Sequence, residues 1–124
     1  MVEDLCERTL AVLGGRGEAV VTASVGTASL TRFANGCIHQ NVSEDTVAVR
    51  LTVSLDGRVA RATSTRTDDA GLEGLVERAL SAAALRPPDP DFAGFAPVAP
   101  VPAVQHWDDT TAAATPDDRA AVVA

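Results

Sequence analysis

Residues 46–66 read TVAVRLTVSLDGRVARATSTR, a pattern that predicts two paired strands at the centre of the fold. Along 46–55, large aliphatic residues alternate with small or polar ones, which is typical of a strand with one buried face. Asp56-Gly57 is a two-residue turn sequence, so an antiparallel strand is predicted to follow it directly. Such a turn also determines which residues face each other. The predicted pairs are Leu55 with Arg58, Val53 with Ala60, Leu51 with Ala62, and Val49 with Ser64.

Three more strands are predicted on the N-terminal side of this hairpin. They cover residues 18–25, 27–34 and 37–42. Gly26 is expected to separate the first strand from the second, and Asn35-Gly36 is the strongest short hairpin signal in the chain. The polar residues 43–45 are expected to link the third strand to the next one.

Helical spacing of apolar residues appears before and after these strands. Residues 2–13 have an apolar face, and two glycines follow as a stop signal. Residues 72–83 form a second apolar stripe, which two prolines end. The predicted fold class is therefore α+β: an antiparallel five-stranded meander with two helices packed on one face, in the order α-β-β-β-β-β-α.

The C-terminal third of the chain has a different composition. Six of the seven prolines lie in residues 87–102, which favours an extended connector. Thr115 followed by proline and two aspartates is a typical helix start. The predicted division is an α+β N-terminal domain at 1–86, a Pro/Ala/Asp-rich connector at 87–114, and the start of a helix of a following, missing domain at 115–124.

Charge and apolar patterning exclude two classes of partner. The net charge is −7 and the basic residues are scattered, whereas nucleic-acid binding requires clustered cations. No window approaches the uninterrupted apolar length of a membrane span, so no membrane partner is predicted. The two cysteines, Cys6 and Cys37, do not form a disulfide framework, and a cytoplasmic location is expected.

Five residues near the Asn35-Gly36 turn are candidates for contact with a peptide or partner domain. They are Arg32, Asn35, His39, Gln40 and Asn41. Polar side chains that share one sheet face can bind a peptide, but antiparallel sheets also commonly have one solvated face. Both interpretations stay open at this point.

The turn predicts how these side chains are distributed. The expected pairs are Arg32 with His39, Ala34 with Cys37, and Phe33 with Ile38. Asn41 is then expected on the face of Arg32, and Gln40 on the face of Phe33. Leu30 falls on the polar face in this register, which a β-bulge near it or a partner contact would correct.

The sequence predicts no catalytic or metal-binding residue. Cys37 and His39 lie two residues apart and project to one strand face, so they could form a nucleophile or half of a zinc site. A zinc site needs a third ligand, and the only other histidine is His106 in the connector. A small buried cysteine beside a surface histidine is the simpler interpretation.

Three segments resemble a known family. They are TRFANGCIHQNVSEDT (31–46), VRLTVSLDGRVARATST (49–65) and GLEGLVERALSAAALRPPDPDFAGF (71–95). The R-F-A-N-x-x-I-x-Q hairpin, the DGR turn with its small-residue strand, and the helix leading to L-x-P-P-D-P-D-F are similar to the N-terminal domain of the TldD/PmbA (TldE) metallopeptidase family. The form I-H-Q-N-V-S-E is closer to its PmbA/TldE side.

The resemblance implies a cytoplasmic hydrolase that acts in proteolysis as a homodimer or as a heterodimer with a TldD-type subunit. It implies peptide substrates, and a zinc held by an H-E-x-x-x-H motif later in the TldD-type partner. That motif is absent from this sequence, so no cofactor is expected in this chain. It implies a scaffold or substrate-access domain of a subunit whose own activity is uncertain. The alternative is a stand-alone module that binds a peptide or partner by β-strand addition.

Overall fold

One helix precedes the strands and three follow them in residues 1–122, the part of the chain that this computed structural model describes. The helices are α1 (Val2–Leu13), α2 (Asp69–Ala84), α3 (Asp109–Ala112) and α4 (Pro116–Ala121). The strands are β1 (Glu18–Ala34), β2 (Cys37–Leu55) and β3 (Arg58–Ser64). The first helix matches its prediction, because Gly14 closes it with a left-handed φ of 61°.

The sheet has three strands in the order β1-β2-β3, so the predicted five-stranded meander is wrong. Neither predicted break interrupts the first hairpin. The Thr46 hydroxyl donates to the Gly26 carbonyl at 3.2 Å, and the Thr27 hydroxyl donates to the Asp45 carboxylate at 2.6 Å. The polar residues that suggested a link therefore bond across the hairpin, and both strands continue past them.

The β2–β3 hairpin has the predicted register. Asp56 and Gly57 both adopt positive φ, as a two-residue turn between antiparallel strands requires. All four predicted pairs are observed, from Leu55 opposite Arg58 to Val49 opposite Ser64. The alternation along β2 and its tight turn were sufficient to determine this part of the sheet.

The hydrophobic core combines one face of β2 with both long helices and β3. Val49, Leu51 and Val53 of β2 are fully buried. Small residues on β3 leave room for α2, which packs against that strand and against α1. The buried apolar residues are Leu5, Leu13, Val49, Leu51, Val53, Ala60, Leu72, Leu75, Val76, Ala79 and Ala83.

The described chain divides into two compact units. The first, here called the core unit, comprises Met1–Gly26 and Thr46–Pro97 and contains all of the buried apolar residues above. The second, here called the hairpin unit, comprises Thr27–Asp45 and the residues that follow Pro97. No residue of the hairpin unit is fully buried within the described chain.

The predicted extended connector is only partly correct. The Asp89 amide donates to the Gly57 carbonyl at 2.9 Å, so the chain after α2 is held against the β2–β3 turn. The rings of Phe92 and Phe95 meet edge to face, 5.3 Å apart. Residues 87–97 therefore belong to the core unit, and α3 lies within the segment predicted to be extended. The division of the chain at residues 86 and 114 stays a prediction.

The predicted helix start at Thr115 is confirmed. Thr115 caps α4 and Pro116 occupies its first turn. The Thr115 hydroxyl accepts a hydrogen bond from the Asp118 amide, and the Asp118 side chain accepts one from the Thr115 amide. This reciprocal pair is a capping box. Residues 123–124 of the predicted segment lie outside the described residues.

Candidate peptide-contact site

The tip of the first hairpin carries the predicted contact residues. Asn35 and Gly36 form its turn, with φ values of 53° and 74°. Both positive values are those of the turn type that matches the twist of two antiparallel strands. The turn therefore brings the end of β1 close to the beginning of β2.

Three of the five predicted contact residues lie together at this tip. Arg32, His39 and Gln40 line a shallow depression of about 630 Å³ with Phe33 and Ala34. Phe33 is 46% exposed, so it contributes apolar surface to a depression that is also lined by the polar residues Arg32, His39 and Gln40. This combination can contact both the side chains and the polar backbone of a peptide. The role of these residues stays a prediction.

The other two predicted residues are elsewhere. Asn35 is in the turn itself and does not line the depression. Asn41 accepts a hydrogen bond from the Thr31 hydroxyl at 3.2 Å, so these two side chains share a sheet face. Adjacent residues of a strand point to opposite faces, so Asn41, which shares the face of Thr31, lies on the face opposite Arg32. The prediction that Asn41 shares the face of Arg32 is therefore wrong.

This difference requires one extra residue in β2. The turn places Ala34 opposite Cys37, but the side-chain bond places Thr31 opposite Asn41. The chain advances three residues on β1 and four on β2 between these pairs. A β-bulge between Cys37 and Asn41 accounts for the difference and puts Leu30 opposite Val42, on the face away from Thr31.

A ladder of polar side chains runs along the face of Thr31. The Thr27 hydroxyl bonds to the Asp45 carboxylate, and the Thr31 hydroxyl bonds to the Asn41 side chain. Between these pairs, the hydroxyl oxygens of Ser29 and Ser43 are 3.0 Å apart and share a hydrogen bond. Each pair joins β1 to β2 directly across the hairpin. The hairpin unit is therefore held by polar contacts on this face, which is hydroxyl-rich and not apolar.

Arg119 joins the C-terminal helix to this ladder. Its Nε donates to the Thr31 hydroxyl at 3.1 Å, and its Nη2 donates to Asn41 Oδ1 at 3.2 Å. A third bond runs from Nη1 to the Ala114 carbonyl at 2.9 Å. The sequence prediction missed Arg119, although it is the only basic residue among six acidic ones in residues 87–124. A single arginine in an acidic segment was the sequence feature that could have marked Arg119 as a contact residue.

The capping box that orients Arg119 is expected to be sensitive to acid. Donation from the Thr115 hydroxyl, then from the Thr115 amide, holds the pKa of Asp118 below its ordinary value of 3.8, and Arg119 adds to this effect. The cap is therefore fully present above the ordinary aspartate pKa and is lost as the pH falls through the lowered one. A carboxyl carbon NMR titration measures this, and Thr115→Ala is expected to return the Asp118 pKa towards its ordinary value. An unchanged pKa in that variant would contradict the assignment.

The residues present do not fit the zinc site of the resembled family. Cys37 is a free, exposed cysteine, and it is not the small buried one that the sequence suggested. Within residues 1–122, no group of three or more histidine, cysteine, aspartate or glutamate side chains is arranged to hold a metal ion.

No helix of the described chain is both long and apolar enough to cross a membrane.

Comparison with solved structures places the fold among known proteins. The crystal structure of TldE from Thermococcus kodakarensis superimposes with a TM-score of 0.63 at 16% sequence identity. The match covers 93% of this chain and 25% of that chain, so this chain spans about a quarter of the length of the TldE chain. No curated protein matches.

A family model provides the assignment. Residues 19–83 match the model described as PmbA/TldA metallopeptidase domain 1. The matched region is just over half of the chain and runs from the beginning of β1 almost to the end of α2. The chain therefore belongs to the PmbA/TldA metallopeptidase family, of which it contains the first domain.

Proposed function

We propose that this chain is the scaffold and substrate-access domain of a TldD/PmbA-type metallopeptidase, close to the PmbA/TldE side of the family. The observation that carries the proposal is the match of residues 19–83 to domain 1 of this family. The hydrolytic step belongs to another part of the protein or to a partner subunit. The role of this chain is to present peptide substrates to that centre.

The hairpin tip supports a role in substrate access. Its depression combines an apolar surface with Arg32, His39 and Gln40, which can donate to peptide carbonyls. Four large apolar side chains of the same hairpin are at least one-third exposed, and such groups gain most from contact with a peptide. They are Leu30, Phe33, Ile38 and Val42.

The partner in this proposal is a TldD-type subunit or a second copy of the protein, in the cytoplasm. The zinc ion and the residues that activate water belong to the metal-binding subunit. Because this chain then acts through substrate binding, its variants should raise KM more than they lower kcat.

The proposal is tested with the complete protein in complex with its TldD-type subunit. We expect the double variant Arg32→Ala, Gln40→Ala to lower kcat/KM on an unstructured, fluorescence-quenched peptide by about tenfold, through KM. Arg61→Ala is the matched control, since Arg61 is an exposed arginine of β3 whose side chain bonds, within residues 1–122, to Thr52 alone. Zinc content should be the same in all three proteins. Full activity in the double variant, or peptide hydrolysis by residues 1–124 alone, would refute the proposal.

A second candidate function, peptide binding by strand addition, has one observation in its favour. β1 lies at the edge of the sheet, and residues 19–31 contain neither a charge nor a proline. Natural edge strands commonly use those features to prevent pairing with another strand. Backbone N-methylation of the peptide distinguishes the candidates: strand addition predicts loss of binding, and contact at the hairpin tip predicts that binding persists.

A further inference from the structure

A second concave surface lies within the hairpin unit. This groove, of about 660 Å³, is bounded on one side by Thr27 and Ser29 of the polar ladder and on the other by the C-terminal segment. The C-terminal segment contributes Trp107, Asp108 and Arg119. The volume of the groove is within the range of roughly 300–1,000 Å³ that is usual for small-molecule sites.

The groove contains charges of both signs that do not neutralise each other. Asp108 and Arg119 both line it, and neither forms an ion pair within 4.0 Å in the described chain. Asp108 Oδ1 accepts a hydrogen bond from the Thr111 amide at 2.7 Å, which fixes the position of the carboxylate. That bond is also the main reason why the pKa of Asp108 is below its ordinary value, so the group is ionised at neutral pH.

The Arg119 guanidinium is held in place by uncharged groups, and it forms no ion pair within 4.0 Å in the described chain, although its charge acts on the neighbouring Asp118 carboxylate. All three of its hydrogen-bond acceptors, on Thr31, Asn41 and Ala114, are uncharged. A guanidinium has five N–H donors, so two have no acceptor within the described residues. Arg119 is half-buried, so its charge is less screened than that of a fully exposed arginine. It is therefore a preorganised position for a carboxylate.

Trp107 adds an aromatic surface to the same groove. Its indole Nε1 donates to Asp109 Oδ1 at 2.8 Å, which restrains the ring. The residue is 64% exposed. A restrained, accessible indole attracts ammonium groups and apolar side chains alike. Together with Asp108 it forms a position for an amine, separate from the carboxylate position at Arg119.

We propose that this groove binds a small zwitterion, a short peptide with free amino and carboxyl termini, with its ammonium group at Asp108 and Trp107 and its carboxylate at Arg119. The hydroxyls of Thr27 and Ser29 also line the groove and can bond to the ligand's amide. Such peptides are products of proteolysis, but binding here does not depend on the peptidase function proposed above.

Trp107 makes the test specific, because it is the only tryptophan in a chain without tyrosine. The probe is the dipeptide Leu-Gly, titrated at low ionic strength while Trp107 fluorescence is recorded. We expect a saturable change with a dissociation constant below about 10 mM, and at least about tenfold weaker binding of N-acetyl-Leu-Gly and Leu-Gly amide. No saturation, or equal affinity for the blocked forms, would overturn the proposal.

Two variants identify the groups involved. Asp108→Asn retains an oxygen for the Thr111 amide and removes only the charge, so Leu-Gly should bind about tenfold more weakly while N-acetyl-Leu-Gly is unaffected. Arg119→Lys should weaken Leu-Gly but not its amide. Asp91→Asn, a surface change in the core unit, serves as the control and should bind normally. If Asp108→Asn weakens both forms equally, the amine is not bound there and the proposal is wrong.

Discussion

Replacing Gly17 with alanine is expected to lower the free energy of unfolding by roughly 2–4 kcal/mol. Gly17 has a φ of 112°, which L-residues with a side chain rarely adopt. An added Cβ would lie 2.7 Å from the Ser54 carbonyl oxygen and 2.9 Å from Leu55 Cδ2. Both contacts are with β2, next to the buried Val53, so relief of the overlap would displace the strand that carries the core. Urea denaturation followed by far-UV circular dichroism measures the loss.

Substitutions at Gly15 and Gly26 distinguish the cost of a positive φ from the cost of the steric overlap with β2. Gly15 also has a positive φ, 74°, but nothing lies within 4 Å of an added Cβ, so Gly15→Ala should cost only about 1–2 kcal/mol of backbone strain. Gly26 has neither a positive φ nor a close neighbour, so Gly26→Ala is expected to be neutral or slightly stabilising. If Gly17→Ala cost no more than Gly15→Ala, the close approach to β2 would not exist in solution.

The parts of the fold that the sequence predicts correctly are those determined by neighbouring residues. The alternation along β2 and the Asp56-Gly57 turn specify the β2–β3 register, because a two-residue turn leaves no freedom in pairing. The extent of α1 follows from its apolar face and from Gly14. In each case the signal and its consequence lie within a few residues of each other.

The errors come from contacts between distant residues. Gly26 and the polar residues 43–45 are typical of breaks when they are considered singly, but Gly26 bonds to Thr46 across the hairpin, and residues 43–45 lie opposite residues 27–29. Thr27 and Asp45, which are eighteen residues apart, bond to each other. Polar residues in a strand need no turn when hydroxyls of the opposite strand satisfy their hydrogen bonds. Their sequence alone does not reveal those partners, because the partners become apparent only when the two strands are paired.

The candidate site shows the same division. Arg32, His39 and Gln40 come together because the Asn35-Gly36 turn is a local signal. The side of the sheet on which Asn41 lies depends on a bulge between Cys37 and Asn41 of β2, whereas the sequence suggested a bulge near Leu30, with a partner contact as the alternative. Arg119 reaches Thr31 from 88 positions away in the sequence. Periodicity predicts which residues share a face of one element, but not which distant charge is packed against that face.

Replacement of Leu75 by alanine should have a still larger effect on stability. Leu75 is in α2 and is fully buried in the core between the helices and the sheet. Truncation of a buried leucine removes its burial free energy and leaves a cavity, at a cost of roughly 2–5 kcal/mol. Small domains unfold with only about 5–15 kcal/mol, so the variant should retain little stability. Thermal unfolding is expected to begin roughly 10–20 °C lower than in the unmodified protein.

Leu85→Ala is the matched control, because Leu85 follows α2 directly and is 88% exposed. Its replacement removes the same side chain from the surface and should change the free energy of unfolding by no more than about 0.5 kcal/mol. Leu75→Met, which nearly conserves volume, should cost less than about 1.5 kcal/mol and so separates loss of packing from loss of the native side chain. Similar costs for Leu75→Ala and Leu85→Ala would mean that α2 does not pack on the sheet through Leu75. The set of residues that form the core beneath β2 would then have to be assigned differently.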